Sequence, residues 1–306
     1  MHPLDQLEPR DKPPATVRAI DTWIQQAESQ AGIGARRLGW MVASGVVIAA
    51  LQRVLFKDDL PRFLIKGGTY LELRLGLRTR ATRDLDALFR GTFDEFLDAL
   101  DEALAEPFDG ITFRRTEPEK IQVPGRSIKP RRFDVVLQIR GRTWRRISLE
   151  VSPDEGRAGV GVDVFRPPSL AHFGLKTPMT TAGLVMDYQV AQKLHACTDP
   201  HTPEHPNDRV RDVVDLLLIK SACYTDPTPP PSLGEACRDV FSNRAREAAL
   251  TGEVTPRAWP PVVIAHPHWQ PDFRGHADEL GLLVTLDHAV SQLNDWIALD
   301  RPQSTK

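Results

Sequence analysis

Apolar and polar residues follow two different spacings along this chain, and the change between them divides it into three parts. Residues 15–56 carry apolar positions at helical spacing, with a break at the glycines on either side of Ile33. This first part predicts two or three helices. Four later segments instead have the apolar runs or the period of two that are typical of strands: residues 61–65, 84–89, 133–139 and 146–152.

Helical spacing returns in the last part of the chain. We therefore divide the sequence into N-terminal helices (1–60), a sheet-containing core (61–175) and a helical C-terminal lobe (176–306). One helix is also expected inside the core, at residues 93–104, and a stiff proline-rich loop at 226–231. The helices predicted in the lobe are residues 187–197, 211–220, 233–250, 276–283 and 286–299.

A glycine turn follows the first predicted strand. Gly67 and Gly68 permit backbone angles and close approaches that a side chain would block, and Thr69 is expected to cap the next helix. Free amide groups at a helix start attract anions, so this turn, flanked by Lys66, suits a phosphate group. The lysine precedes the glycines, so the order of a Walker A loop is absent.

Two aspartates one residue apart open the second predicted strand. Strand geometry places Asp84 and Asp86 on one face, about 7 Å apart. Carboxylates this close repel each other unless a cation lies between them, and oxygen ligands suit Mg²⁺, with Mn²⁺ as a substitute. A third carboxylate is expected from a neighbouring strand. The first candidate is Glu150, and the sequence leaves Asp134 open as the alternative.

Two charged residues stand out in the lobe. Lys193 lies off the apolar stripe of its predicted helix, and Asp212 lies near the start of the next. In one interpretation, Lys193 binds a phosphate while Asp212 orients the lysine or accepts a proton. In the other, the two residues form an ion pair that joins the helices. Both interpretations predict that Lys193 and Asp212 are close.

These motifs resemble those of AbiEii/AbiGii-type nucleotidyltransferase toxins, which include the mycobacterial MenT toxins. The resemblance spans residues 60–220. It rests on four motifs in matching order: Lys-Gly-Gly-Thr at 66–69, Arg-Asp-Leu-Asp at 83–86, Gln-Lys-Leu-His-Ala at 192–196, and Arg-Val-Arg-Asp-Val-Val-Asp-Leu at 209–216. Thr69, Thr82 and Arg211 depart mildly from the residues usual in the family.

The resemblance implies an α+β fold: a polymerase-β-like nucleotidyltransferase core with a small mixed β-sheet, followed by a helical lobe. It implies a toxin of a toxin–antitoxin system that moves a nucleoside monophosphate from an NTP to the 3′ end of tRNA, blocking aminoacylation, and that is neutralised by a cognate antitoxin. By motif, the expected catalytic residues are Asp84, Asp86, Glu150, Lys193 and Asp212, the first three as metal ligands. The expected nucleotide-binding residues are Lys66, Gly67, Gly68, Thr69, Thr82, Arg83, Lys193, Arg209 and Arg211.

The composition limits the size of the core, the compartment and the kind of partner that we expect. Hydrophobic residues make up 41% of the 306, enough for a sizeable core. We see no signal peptide and no apolar run long enough to cross a bilayer, so no membrane partner is expected. The odd cysteine count of 3 favours a reducing cytoplasm. Net charge is only −2, so RNA would have to bind a local patch such as the arginine-rich stretch 114–146.

Other functions stay open at this level. An inactive nucleotide- or RNA-binding protein on the same fold, or a metal-dependent phosphodiesterase, would share these motifs. Zinc bound by His195, Cys197, His201 and His205 is a weaker alternative, since His195 belongs to a motif already explained. The sequence does not identify the preferred base, the tRNAs chosen, the oligomeric state or the mode of neutralisation.

Overall fold

A computed structural model describes residues 2–76, 82, 84–202, 205–226 and 228–299. Two N-terminal helices come first: α1, Val17–Ala31, and α2, Ala35–Leu51. The Thr16 side chain accepts the Ala19 amide at 3.1 Å and caps α1. Gly32, at φ +67°, ends it. The sequence therefore predicts both helices and the break between them correctly.

Eight strands among the described residues form one mixed sheet. The order is β3-β5-β6-β2-β1-β8-β7, with β4 paired to β5. The pairs β2–β6 and β1–β8 are parallel, and the other pairs are antiparallel. The strands are β1, Phe63–Lys66; β2, Asp84–Phe89; β3, Ile111–Arg115; β4, Glu119–Lys120; β5, Arg131–Ile139; β6, Arg142–Pro153; β7, Val162–Phe165; and β8, Thr181–Leu184.

Helices pack against this sheet and build the lobe. Helix α2 contacts β6 and α4, and α4 contacts β3. Leu85, Ala87 and Phe89 of β2 are completely buried in this main core. The helices after α2 are α3, Gly67–Leu75; α4, Phe96–Ala105; α5, Met186–Cys197; α6, Val210–Cys223; α7, Pro231–Thr251; α8, Gln270–Leu280; and α9, Leu286–Ala298.

A tight turn joins β5 and β6 into a hairpin. Arg140 and Gly141 both have positive φ, at +47° and +74°, and reverse the chain between the two strands. The hairpin strands are longer than predicted because the polar edge residues also pair. No single helix within the described ranges is long and apolar enough to cross a bilayer, although α1 and α2, bent by 116° to each other, reach that length and composition as a pair.

Three details differ from the predictions. Helix α3 begins at Gly67, with Lys66 at its N-cap, so Thr69 does not cap it. Strands β3, β4, β7 and β8 were not predicted, and β8 lies beyond residue 175, where the core was expected to end. Helix α8 begins at Gln270, six positions before the predicted residue 276.

Candidate active site

The register between β2 and β6 brings three carboxylates onto one face of the sheet. Asp86 lies opposite Glu150, and Asp84 lies opposite Ser148. Side chains of residues paired in register share a face, and residues two apart on a strand share it as well. The structure therefore gathers Asp84, Asp86 and Glu150, the residues that the sequence analysis selects as metal ligands, on one face of two neighbouring strands.

The glycine turn packs directly against this carboxylate cluster. Gly67 has φ +65°, and a Cβ built on it would lie 2.3 Å from Oδ2 of Asp86. Glycine is thus required both by the backbone angle and by the space that the carboxylate fills. The Gly67 amide donates to Oε1 of Gln189 at 2.9 Å, so this N–H is already bonded to α5. Gln189, in turn, donates to the Leu184 carbonyl of β8 at 3.3 Å.

Two threonine hydroxyls fix the start of β2. Thr69 donates to the Asp84 carbonyl at 2.9 Å, and Thr82 donates to the same oxygen at 3.2 Å. Thr69 is buried, at 1% exposure. Both side chains therefore position Asp84 through its backbone. Arg83, between Thr82 and Asp84, lies outside the described residues.

Burial makes the carboxylate cluster electrostatically unusual. Desolvation raises the pKa of Asp86 to about 6; Lys66 opposes this shift, whereas Glu150 and Asp84 add to it. Lys66 lies opposite Asp86 in the β1–β2 register, and desolvation lowers the pKa of its amine. Repelling carboxylates in a desolvated pocket are stabilised by a divalent cation. The donor set present here therefore fits a divalent metal such as Mg²⁺ or Mn²⁺.

Arginines on β5 and β6 pair with the outer acids of this face. Arg132, opposite Glu150 in the β5–β6 register, donates from Nε to Oε1 of Glu150 at 2.8 Å and also from Nη2. Asp134 accepts from Nη1 of Arg146 at 2.8 Å. Asp134 lies across Ser148 from Asp84, one strand farther out than Glu150. By position, Glu150 adjoins the aspartate pair and Asp134 does not.

The lobe contributes a buried lysine held by two carboxylates. Nζ of Lys193, on α5, donates to Oδ1 of Asp212 and to Oδ2 of Asp215 on α6, both at 2.8 Å. Burial disfavours the charged amine, but the two carboxylates outweigh it and raise the pKa of Lys193. Lys193 also acts on Asp86 by lowering its pKa. The predicted proximity of Lys193 and Asp212 is confirmed, with Asp215 as an additional partner.

Arg209 and Arg211, expected to bind nucleotide, are exposed at the start of α6. Nε of Arg209 lies 4.0 Å from Oδ2 of Asp199. Unlike Lys193, which points inward from α5, both arginines face solvent. The structure therefore does not gather them with the carboxylate cluster into one closed pocket.

A buried network that sequence reasoning missed joins the core to the lobe. Glu155, which follows β6 and is 4% exposed, accepts from Nη2 of Arg244 on α7 at 2.7 Å. It also accepts from Arg126, and from Gln192 on α5 at 2.7 Å. Burial alone would raise its pKa, but the two guanidinium groups lower it well below the ordinary glutamate value. These residues come from four separate segments, so no local pattern could have revealed the network.

His195 belongs to the same network. Its Nδ1 lies 3.1 Å from Nη1 of Arg244 and 2.9 Å from Nη2 of Arg257, so it accepts from both guanidinium groups. Burial, together with these cations, lowers the pKa of His195 to about 2. Cys197 is buried against the Arg209 carbonyl. Neither residue is free to join a zinc site.

The histidines that do gather in the described part of the chain are His201, His266 and His268, with potential ligand atoms within 4.8 Å of one another. Asn207 organises two of them. Its amide donates to Nδ1 of His201 at 3.2 Å, and its carbonyl accepts from Nε2 of His268 at 2.9 Å. The Nδ1 lone pair of His201 is thus occupied by the Asn207 backbone amide, which leaves Nε2 as the ring nitrogen of His201 that could bind an ion.

Ion pairs use much of the basic stretch 114–146. Arg115, Arg126, Lys129, Arg132 and Arg145 pair with acids outside this stretch, and Arg146 pairs with Asp134 inside it. Within the described ranges, no hydrogen bond or ion pair holds the side chains of Arg114, Lys120, Arg140 or Arg142. A surface for RNA phosphates would therefore rest on fewer cations than the sequence suggests.

Comparison with known proteins decides the family. The family model for the nucleotidyl transferase AbiEii toxin of type IV toxin–antitoxin systems matches residues 49–296. The chain belongs to the AbiEii nucleotidyltransferase toxin family. Among solved structures it is similar to MenT4, a nucleotidyltransferase toxin from Mycobacterium tuberculosis, with a TM-score of 0.58 and 19% identity over 94% of this chain and 91% of that one. No curated protein matches significantly.

Membership of the AbiEii family confirms the resemblance seen in the motifs. The chain is a nucleotidyltransferase of a toxin–antitoxin system, and such enzymes use an NTP and a divalent metal. The family also implies an antitoxin partner. The likeness to MenT4 confirms the α+β fold with a mixed sheet and a helical lobe.

Proposed function

We propose that this AbiEii family member moves a nucleoside monophosphate from an NTP to the 3′ end of tRNA in the cytoplasm, using Mg²⁺. The observation that carries the proposal is the register that sets Asp84, Asp86 and Glu150 side by side against the glycine turn. These three residues would hold the metal. When bound, a divalent ion polarises the α-phosphate and lowers the pKa of the attacking hydroxyl.

Other residues of the chain would bind the triphosphate and position the metal ligands. Lys66 and the dipole at the start of α3 offer positive charge to the triphosphate next to Asp86, whereas the Gly67 amide itself is already bonded to Gln189. Thr69 and Thr82 hold the Asp84 backbone, and thereby orient its carboxylate.

Lys193 is kept charged and in one place by Asp212 and Asp215, which suits it to bind a phosphate of the NTP. Asp212 acts here as a positioning residue, since its carboxylate reaches the site through the lysine. Arg209 and Arg211, which are exposed, are proposed as further contacts to nucleotide or RNA phosphates. Arg83 is proposed as a nucleotide contact from its motif alone.

The deciding experiment follows label from an NTP to RNA. The purified chain is incubated with Mg²⁺, each α-labelled NTP in turn, and total tRNA with an intact or periodate-oxidised 3′ end. Label that joins intact tRNA but not oxidised tRNA supports the proposal. No transfer with any NTP contradicts it, and shortened RNA without label indicates a phosphodiesterase.

Matched variants identify the third carboxylate. Glu150→Gln and Asp134→Asn each remove one charge from the same sheet face and leave one arginine unpaired. We expect transfer to fall at least 100-fold in Glu150→Gln and to change little in Asp134→Asn. The reverse result would move the metal site outward to Asp134.

A further inference from the structure

Arg132 pairs with Glu150, one of the carboxylates proposed to hold the metal. Its Nε lies 2.8 Å from Oε1 of Glu150, and its Nη2 contacts the same oxygen. Glu150, in turn, lies opposite Asp86 in the β2–β6 register. The guanidinium group therefore neutralises the acid of the carboxylate cluster that lies nearest to β5.

The ion pair between Arg132 and Glu150 is exposed enough to exchange. The side chain of Arg132 is 56% exposed, whereas that of Glu150 is 25% exposed. An exposed ion pair of this kind stabilises a protein only weakly, so a divalent cation can displace it at low cost. The hydrogen bonds of Arg132 go to Glu150 alone among the described residues, so departure would break no other contact.

We propose that Arg132 is an exchangeable counter-ion of the carboxylate cluster: it pairs with Glu150 until a divalent cation takes its place, and it thereby sets the metal affinity of the enzyme. This inference rests on the proposed function, because it requires that Glu150 be a metal ligand. Arg132 thus acts on metal binding through its pairing with Glu150 and not by contact with substrate.

The proposal predicts the sign of an effect on metal binding. If Arg132 competes with the cation, Arg132→Gln should tighten Mn²⁺ binding by roughly fivefold, since it removes both the competing pair and one nearby positive charge. If Arg132 merely holds Glu150 in position, the same variant should weaken Mn²⁺ binding instead.

Arg146 supplies a matched control. It pairs with Asp134 on the same sheet face, also at 2.8 Å, and its side chain is 60% exposed. Arg146→Gln changes the net charge equally but leaves Glu150 paired. We expect its Mn²⁺ affinity to stay within about twofold of the wild type. Arg132→Lys, which keeps the charge, should also stay near the wild type.

The experiment titrates Mn²⁺ into the NTP-free protein and follows the free ion by electron paramagnetic resonance, with thermal unfolding as a check that each variant folds. Tighter binding in Arg132→Gln than in Arg146→Gln supports the inference; equal or weaker binding overturns it. Asp86→Asn tests the underlying site separately. If Asp86→Asn binds Mn²⁺ as the wild type does, the proposed metal site itself fails.

Discussion

The contact between Gly67 and Asp86 yields the sharpest prediction for this enzyme. In Gly67→Ala, the new methyl group would lie 2.3 Å from Oδ2 of Asp86. A carbon and an oxygen normally approach to about 3.3 Å, so the carboxylate must move by about 1 Å. A shift of that size in one ligand should weaken Mn²⁺ binding by roughly 10- to 100-fold.

The same substitution also strains the backbone, and a second glycine separates the two effects. Gly32 ends α1 at φ +67°, close to the +65° of Gly67, and nothing lies within 4 Å of a Cβ built there among the described atoms. Alanine at either position should lower the free energy of unfolding by about 1 kcal/mol through its left-handed backbone. Only Gly67→Ala should disturb the carboxylates.

Two assays on the same preparations test this reasoning. Urea unfolding reports the backbone strain in both variants, and Mn²⁺ titration followed by label transfer to tRNA reports the site. Gly32→Ala should bind metal and transfer nucleotide as the wild type does. Wild-type metal affinity in Gly67→Ala would refute the idea that the turn and the Asp86 carboxylate share this space.

Three further predictions concern buried charges. Desolvation raises the pKa of Asp86 from 3.8 to about 6, so its ionisation costs stability as pH rises through that range. Asp86→Asn should therefore stabilise the metal-free protein by on the order of 2 kcal/mol at pH 7 in urea unfolding, while wild-type Mn²⁺ affinity rises between pH 5 and 7. Lys193→Met should destabilise by about 3–5 kcal/mol, because Asp212 and Asp215 remain buried without their cation, and this loss in thermal unfolding should shrink in acid. Glu155 has a lowered pKa, so its stabilising effect is present above about pH 4.5 and is lost as pH falls. In Glu155→Gln, the free energy of unfolding should therefore fall less steeply below pH 4.5 than in the wild type. The same pH dependence in both proteins would contradict the role assigned to Arg244 and Arg126.

Strand β2 shows what the sequence can predict well. Its period of two, with Asp84 and Asp86 on one face and Leu85 and Ala87 on the other, determines both its bounds and its orientation. The structure reproduces the strand at Asp84–Phe89 without a shift. A strong period of two over six residues is enough to orient the strand, because a shift of one residue would bury a carboxylate in the core.

The sequence predicts a strand beside β2, but it does not give the register between the two strands. Placing Glu150 beside Asp86 depends on the parallel register of β6, and a register shift near Leu137 and Gln138 also alters the pairing of the β5–β6 hairpin. Such irregularities leave no clear mark in the residue pattern. The choice between Glu150 and Asp134 therefore needed the structure to give the positions of both.

Strand β8 shows why short elements are missed. It has only four residues, and Gly183 in its middle weakens any strand signal. The glycine is required because the ring of Tyr70 lies 2.4 Å from where its Cβ would be. That reason comes from a residue on α3, so it is invisible in the local sequence of β8.

The bond from Gln189 to the glycine turn bears on how the molecule could be divided. A piece of the chain ending at residue 175 would lack β8, the sheet neighbour of β1, and would leave the Gly67 amide with no acceptor. The glycine turn is thus held by a side chain 122 positions downstream. Swapping lobes between relatives should therefore succeed only when the donor lobe brings its own glutamine, or an equivalent acceptor, to that amide.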